Sequence, residues 1–261
     1  EKEGNKVLVR NNLNNIGTIQ FYQGKMEEAA EAYKKTIAIS KEMLDTNNII
    51  LGYNNLGEVY LEQNKIPLAL EQLIIARNLA LIKKTPEMLL AVDNSLGDSY
   101  YRLDSLEKAL QYFTGALQLA ENTSNARAQC KASIGLAKVQ YKQGLFKEGL
   151  INALNGLKTA NEMGQAQLQR DANKVVADFY EKLGDENKAL TYFKNYKTFS
   201  DSLVNIENER QAANFKAGYE FSKKELQFEK EASQQRWIIF SIIAALISLL
   251  IIIGLILKNR K

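Results

Sequence analysis

Tyr53 to Leu73 reads YNNLGEVYLEQNKIPLALEQL, and Asn94 to Phe113 reads NSLGDSYYRLDSLEKALQYF, so one plan recurs at a spacing of 40 residues. In each stretch a glycine, Gly57 or Gly97, interrupts apolar residues at helical spacing. Seven positions on stands Asn64 or Asp104, a residue type that tolerates a left-handed backbone and can close a helix. Small Ala69 or Ala109 follows, which lets a second helix approach the first, and then bulky Leu73 or Phe113.

Working outward, the same register holds along the chain. The first small position is Gly17, Gly57, Gly97, Ala137 and Ala177; the helix-closing position is Gly24, Asn64, Asp104, Gly144 and Gly184. The close-approach position is Ala29, Ala69, Ala109, Gly149 and Ala189, and the wedge position is Tyr33, Leu73, Phe113, Ala153 and Phe193. The fourth unit, with Gly149 and Ala153, fits this pattern least well. Fixed-period helical pairs stack into a solenoid in which each unit contacts mainly its neighbours. The expected fold is therefore all-α: a right-handed solenoid of five helix-turn-helix units over residues 1–199.

These two stretches resemble the tetratricopeptide repeats, and the resemblance extends from about Val7 to Lys197. The unit is about six residues longer than the usual ~34, and the proline often found between repeats is present only as Pro86. Longer helices are implied rather than a different fold. The resemblance implies a protein-binding module.

Composition narrows the function. With 25% charged and 46% hydrophobic residues, and only two prolines, the chain suits a nearly all-helical protein with a substantial core. Of the net charge of +4, three units come from Lys258, Arg260 and Lys261, which leaves no basic surface that would suggest nucleic acid. Cys130 is the only cysteine and there is no histidine, so no intrachain disulfide, zinc site or histidine general base can be built. No glycine-rich phosphate loop or nucleophile elbow is present, and acid pairs such as Glu27 and Glu28 read as solvated faces. We expect no catalysis, cofactor or metal in these residues.

From Asp201 to Arg236 the pattern changes to a charged helix with a shifting apolar stripe: Leu203, Ile206, Ala213 and Ala217, then Phe215, Tyr219 and Leu226, then Phe221 and Phe228. A helix from Leu203 to Arg236 would be about 50 Å long, too long to pack wholly on one unit. Residues 200–236 are therefore expected to form a stem whose stripe needs a partner, either the last repeat, which it would cap, or a second stem in a homodimer coiled coil. Arg210 and Glu220 break the heptads.

Trp237 to Leu257, WIIFSIIAALISLLIIIGLIL, is uncharged throughout. At 1.5 Å per residue it would extend about 31 Å, the thickness of a hydrocarbon core, with Trp237 as interfacial anchor. We expect residues 237–257 to form a transmembrane helix. The basic residues 258–261 follow it, and the positive-inside rule places them in the cytoplasm and the repeats outside.

The order of repeats, stem and span, with Asp201, Ser202 and Leu203 after the last repeat and Tyr219-Glu220 in the stem, resembles a bacterial signalling family. In it extracytoplasmic tetratricopeptide repeats connect through one inner-membrane helix to a histidine kinase or helix-turn-helix regulator. The resemblance implies a periplasmic sensor region whose output domain lies outside this sequence. A tail-anchored cytosolic scaffold for protein-protein interaction is the alternative.

In such stacks the first helix of each unit lines the concave surface. By register the groove candidates are Asn14, Thr18 and Phe21; Asn54, Glu58 and Leu61; Asn94, Asp98 and Tyr101; Ile134, Lys138 and Tyr141; and Lys174, Asp178 and Glu181. Asn14, Asn54 and Asn94 form a ladder of amides able to pair with an extended peptide backbone. With Lys138 and Lys174 as the only lysines in the set, a terminal carboxylate is not the favoured ligand.

Overall fold

Helices follow one another in pairs along the chain. In the computed structural model, which describes residues 2–206 and beyond them 209, 224, 228, 231, 233, 236, 237 and 240, the order is α1 (Lys2–Tyr22), α2 (Met26–Glu42), α3 (Thr46–Glu62), α4 (Ile66–Lys83), α5 (Pro86–Arg102), α6 (Leu106–Asn122), α7 (Ala126–Lys142), α8 (Phe146–Met163) and α9 (Ala166–Lys182). A further helix, α10, begins at 186 and is described through 206. Contacts divide the chain between Val204 and Asn205, and the first unit is the repeat array.

The turns inside the repeats are closed as the register predicts. Gly24, Asn64, Asp104, Gly144 and Gly184 have φ of 74°, 57°, 58°, 77° and 80°. In each case the next residue's N–H reaches back to a carbonyl of the last helical turn, as Lys65 does to Tyr60 at 2.8 Å and Ser105 to Tyr100 at 2.9 Å. The turns between repeats follow the same rule at residues the sequence does not advertise. Leu44, Lys84 and Ser124 also have positive φ, with Gly164 at the equivalent place. Two of these turns are followed by a side-chain cap: Asp45 accepts from the Asn48 N–H at 3.2 Å and Asn125 from the Ala128 N–H at 3.0 Å.

Each odd helix packs on the even helix before and after it, and α3, α5, α7 and α9 also touch in succession. No comparable contact joins successive even helices among the described residues, so the odd helices line the inner face. The core is segmented by repeat. Tyr33, Leu73, Phe113 and Ala153 are all buried. Phe193 departs from the expectation: it is exposed, because the described residues place no further odd helix against it. The small residue at Ala153 is compensated from the other side, since Phe179 of α9 is fully buried in the same cluster.

Polar groups add specific stitches. Arg10, nearly buried, donates to Asp45 at 2.6 Å and so ties α1 to the start of α3. Arg77 donates to buried Asp93 at 2.6 Å between α4 and α5.

Cys130 is buried and its thiol lies 3.3 Å from the Gly156 carbonyl oxygen, with burial pushing its pKa up to about 11. Among the described residues no helix is long and apolar enough to cross a membrane. Apart from Trp237 and Phe240, the apolar stretch from Trp237 to Leu257 lies outside the described residues, as does most of the stem.

Candidate functional site

The inner face encloses an open groove of about 510 Å³ with walls from α1, α3, α5, α7 and α9. Glu58 and Glu62 on α3 form an acidic side and Arg127, Lys131 and Lys138 on α7 a basic side, while α5 between them carries both Asp98 and Arg102, and α9 adds Arg170 and Asp171. Glu62 is tied up by Arg102 at 2.7 Å, and Lys131 approaches Glu58 to 4.0 Å across the groove. Ser95 donates to Glu58 at 3.2 Å.

Asp98 sits between the two sides. Burial raises its carboxyl pKa above the ordinary 3.8, and Lys138, Lys131 and Arg102 only partly oppose this. The native state therefore holds the Asp98 proton to higher pH than the unfolded chain does, so this group's effect on stability becomes less favourable as pH rises through that window. Asp98→Asn is expected to remove that slope and to raise the stability of the chain at neutral pH. Urea unfolding of both forms at acid and neutral pH measures it; an identical pH slope in the two would contradict it.

Asn94 forms part of the floor. Its amide donates to the Leu90 carbonyl at 3.0 Å and to the Ala128 carbonyl of the next odd helix at 3.4 Å. Its Oδ1 is buried with no partner, and the side chain borders the groove. A buried acceptor left unpaired costs roughly 1–3 kcal/mol, and Asn54 at the same register carries the same unpaired Oδ1, so this position packs the odd helices together rather than presenting an exposed amide.

The structure brings Glu58, Asn94, Asp98, Tyr101 and Lys138 to this groove, together with Phe21, Leu61 and Ile134. It places Asn14, Asn54 and Tyr141 outside its lining. Asn14 accepts from Asn55 at 3.3 Å, Asn54 is buried in its helix packing, and Tyr141 packs edge-on against Phe146 and Phe179. The three amides therefore do not form one exposed ladder. Thr18 bonds the Tyr33 hydroxyl at 3.1 Å, and Lys174 pairs with Asp178 on its own helix at 2.5 Å. Glu181 is exposed.

Sequence reasoning missed Arg127, Lys131, Arg170 and Asp171, which also line the groove. The signal was present: positions 127, 131, 134 and 138 share one helical face, so the α7 stripe continues a full turn or more towards its N-terminus. Among the described residues no cluster of acids, cysteine or histidine is arranged to hold a metal ion. What the arrangement can do is hold a partner by ion pairs and hydrogen bonds.

Comparison with known proteins agrees with this architecture. Residues 3–80 and 94–123 match family models of the tetratricopeptide repeat, so the array is built from these repeats. The chain is 25% identical over 203 residues to the outer dynein arm-docking complex subunit 4 of Homo sapiens, covering 78% of this chain and 30% of that protein. The Bos taurus protein is 28% identical over 178 residues, with 66% and 26% coverage. The chain thus spans less than a third of the length of these relatives.

Among solved structures, a Rap protein complexed with competence and sporulation factor superposes with a TM-score of 0.68 at 17% identity, covering 77% of this chain and 58% of that one. The Rap conjugation regulator of plasmid pLS20 in complex with the Phr* peptide gives 0.66 at 14% identity, with 74% and 53% coverage. BtubC from P. vanneervenii gives 0.60 at 15% identity, with 74% and 80% coverage. At these identities the likeness is one of fold.

Proposed function

We propose that this array of tetratricopeptide repeats captures an extended peptide or protein segment in its inner groove, as the receiving part of a membrane-attached signalling protein. The observation that carries the binding role is the groove itself: acidic Glu58 and Glu62 of α3 face basic Arg127, Lys131 and Lys138 of α7 across α5, which carries Asp98 and Arg102. An extended segment that carries side chains of both signs can meet the opposite walls. Two structures with the same fold hold competence and sporulation factor and the Phr* peptide, which supports the reading.

The membrane attachment rests on the sequence. The uncharged stretch 237–257 and the basic residues after it favour a single inner-membrane span with the repeats in the periplasm and the C-terminus in the cytoplasm. Binding in the groove would then bias the arrangement of the stem, and the span would carry that bias to an output domain. The stem's apolar stripe fits a homodimer that passes on the bias through altered pairing.

Selection of peptides from a random displayed library against the full chain in lipid nanodiscs tests the binding role. The Lys138 charge opposes the burial of Asp98, so Lys138→Glu is compared with the parent chain only after circular dichroism shows the same helix content. Enriched peptides are expected to lose about tenfold in affinity for Lys138→Glu, the equivalent of one charge-assisted contact. No enrichment, or equal binding by both proteins, would refute capture in this groove.

A further inference from the structure

The charges that line the inner groove are not equally free. Among its acids, Glu62 is held by Arg102 at 2.7 Å and Asp171 by its neighbour Arg170 at 2.7 Å. Glu58 accepts from Ser95 at 3.2 Å. Burial holds the Asp98 carboxyl above its ordinary range, which favours its neutral form. The acidic side therefore keeps little charge for a partner to answer.

The basic side differs. Among the described residues, Arg127 and Lys138 have no carboxylate within ion-pair distance, and Lys131 reaches Glu58 only at 4.0 Å. Glu87 lines the adjoining pocket with Arg127 but does not pair with it. Arg127 and Lys131 are exposed, and Lys138 is partly so. Spaced by four and seven residues, these cations share one face of α7. At 1.5 Å per residue the row is about 16 Å long.

We propose that the segment captured in this groove is acidic, with Asp or Glu side chains of the partner taking the places beside Arg127, Lys131 and Lys138 that no carboxylate of this chain fills. The proposal rests on the groove as a capture site and names the chemistry of what it captures. An extended chain advances roughly 3.3 Å per residue, so about five residues run the length of the row. Two acidic side chains within such a stretch reach both of its ends. A peptide suits the site better than a nucleic acid: Glu58 and Glu62 stand in the same groove and repel a continuous line of phosphates, whereas separate carboxylates can be set against α7 alone.

Selection from a random displayed peptide library on the full chain in lipid nanodiscs tests it. Peptides enriched on the parent chain are expected to carry two or more Asp or Glu residues within about five positions. Replacing one of them by Asn or Gln in a synthetic copy is expected to lower affinity about tenfold, the equivalent of one charge-assisted contact. Arg127→Gln changes an exposed side chain and removes one cation of the row. It is expected to weaken the acidic peptides by a similar factor and their neutral copies by less than about twofold, since the copies have already lost the contact. Enriched peptides with no excess of acids, or equal losses on Arg127→Gln for acidic peptides and neutral copies, would overturn the acidic requirement and leave capture in the groove standing. No enrichment at all would overturn both.

Discussion

Phe113→Ala is expected to lower the stability of the array by about 3–5 kcal/mol, the range for a large buried ring whose site cannot collapse. The ring is 2% exposed and lies between Gly97 of its own repeat and Gly135 of the next. A Cβ added at Gly97 would come within 2.6 Å of it, which is why the register there needs glycine. Removing the ring leaves a cavity lined on both sides by backbone, and backbone cannot move in to fill it. Since stability in a repeat array is the sum of unit terms and junction terms, the loss falls on the junction of α6 with α7. Urea unfolding followed by helical circular dichroism should show an earlier midpoint and a lower slope as the halves uncouple. A shift below about 1 kcal/mol would mean that the junction is held elsewhere.

Phe179→Val is expected to cost roughly 2–4 kcal/mol on the same grounds, and its dependence on Ala153 is the more informative result. At other junctions a large wedge faces a small receiver: Tyr33 faces Val59, and Phe113 faces Val139. At the fourth the volumes are exchanged, with Ala153 facing Phe179. The Phe179 ring occupies the space that a Cβ at Gly149 would need, so Gly149 replaces the alanine of the other repeats for the same reason. Ala153→Phe alone should overpack the junction, at about 1–3 kcal/mol. The double variant restores the usual order of volumes and should recover about 1–3 kcal/mol relative to additivity. Strictly additive losses would show that the two side chains do not share one space.

The helical pairs, their turns and their period could be read from the chain because they are local consequences of residue type. Asn64, Asp104 and the glycines at Gly24, Gly144 and Gly184 tolerate positive φ, and Ala29, Ala69 and Ala109 are small at every occurrence. The turns between repeats were not legible. Leu44, Lys84 and Ser124 adopt positive φ against their own preference, held by the stacking of the helices on either side. The groove was legible in part. Glu58, Asp98, Tyr101 and Lys138 follow from register, but Arg127 and Lys131 enter because the inner face runs the full length of α7.

By itself, then, the sequence determined the unit, its length and the helix faces that must be buried, since these depend on spacings within about 40 residues. It also carries the uncharged stretch after Trp237, which is a matter of composition alone. The packing of the repeats set the rest: that Asn54 and Asn94 are buried rather than exposed, which charges face each other, and that the weak fourth unit is completed by Phe179 from its neighbour. Those outcomes depend on how volume and charge are shared between helices of different repeats. A junction constrains the sum of two side chains rather than either one, so neither residue shows the pairing when read alone.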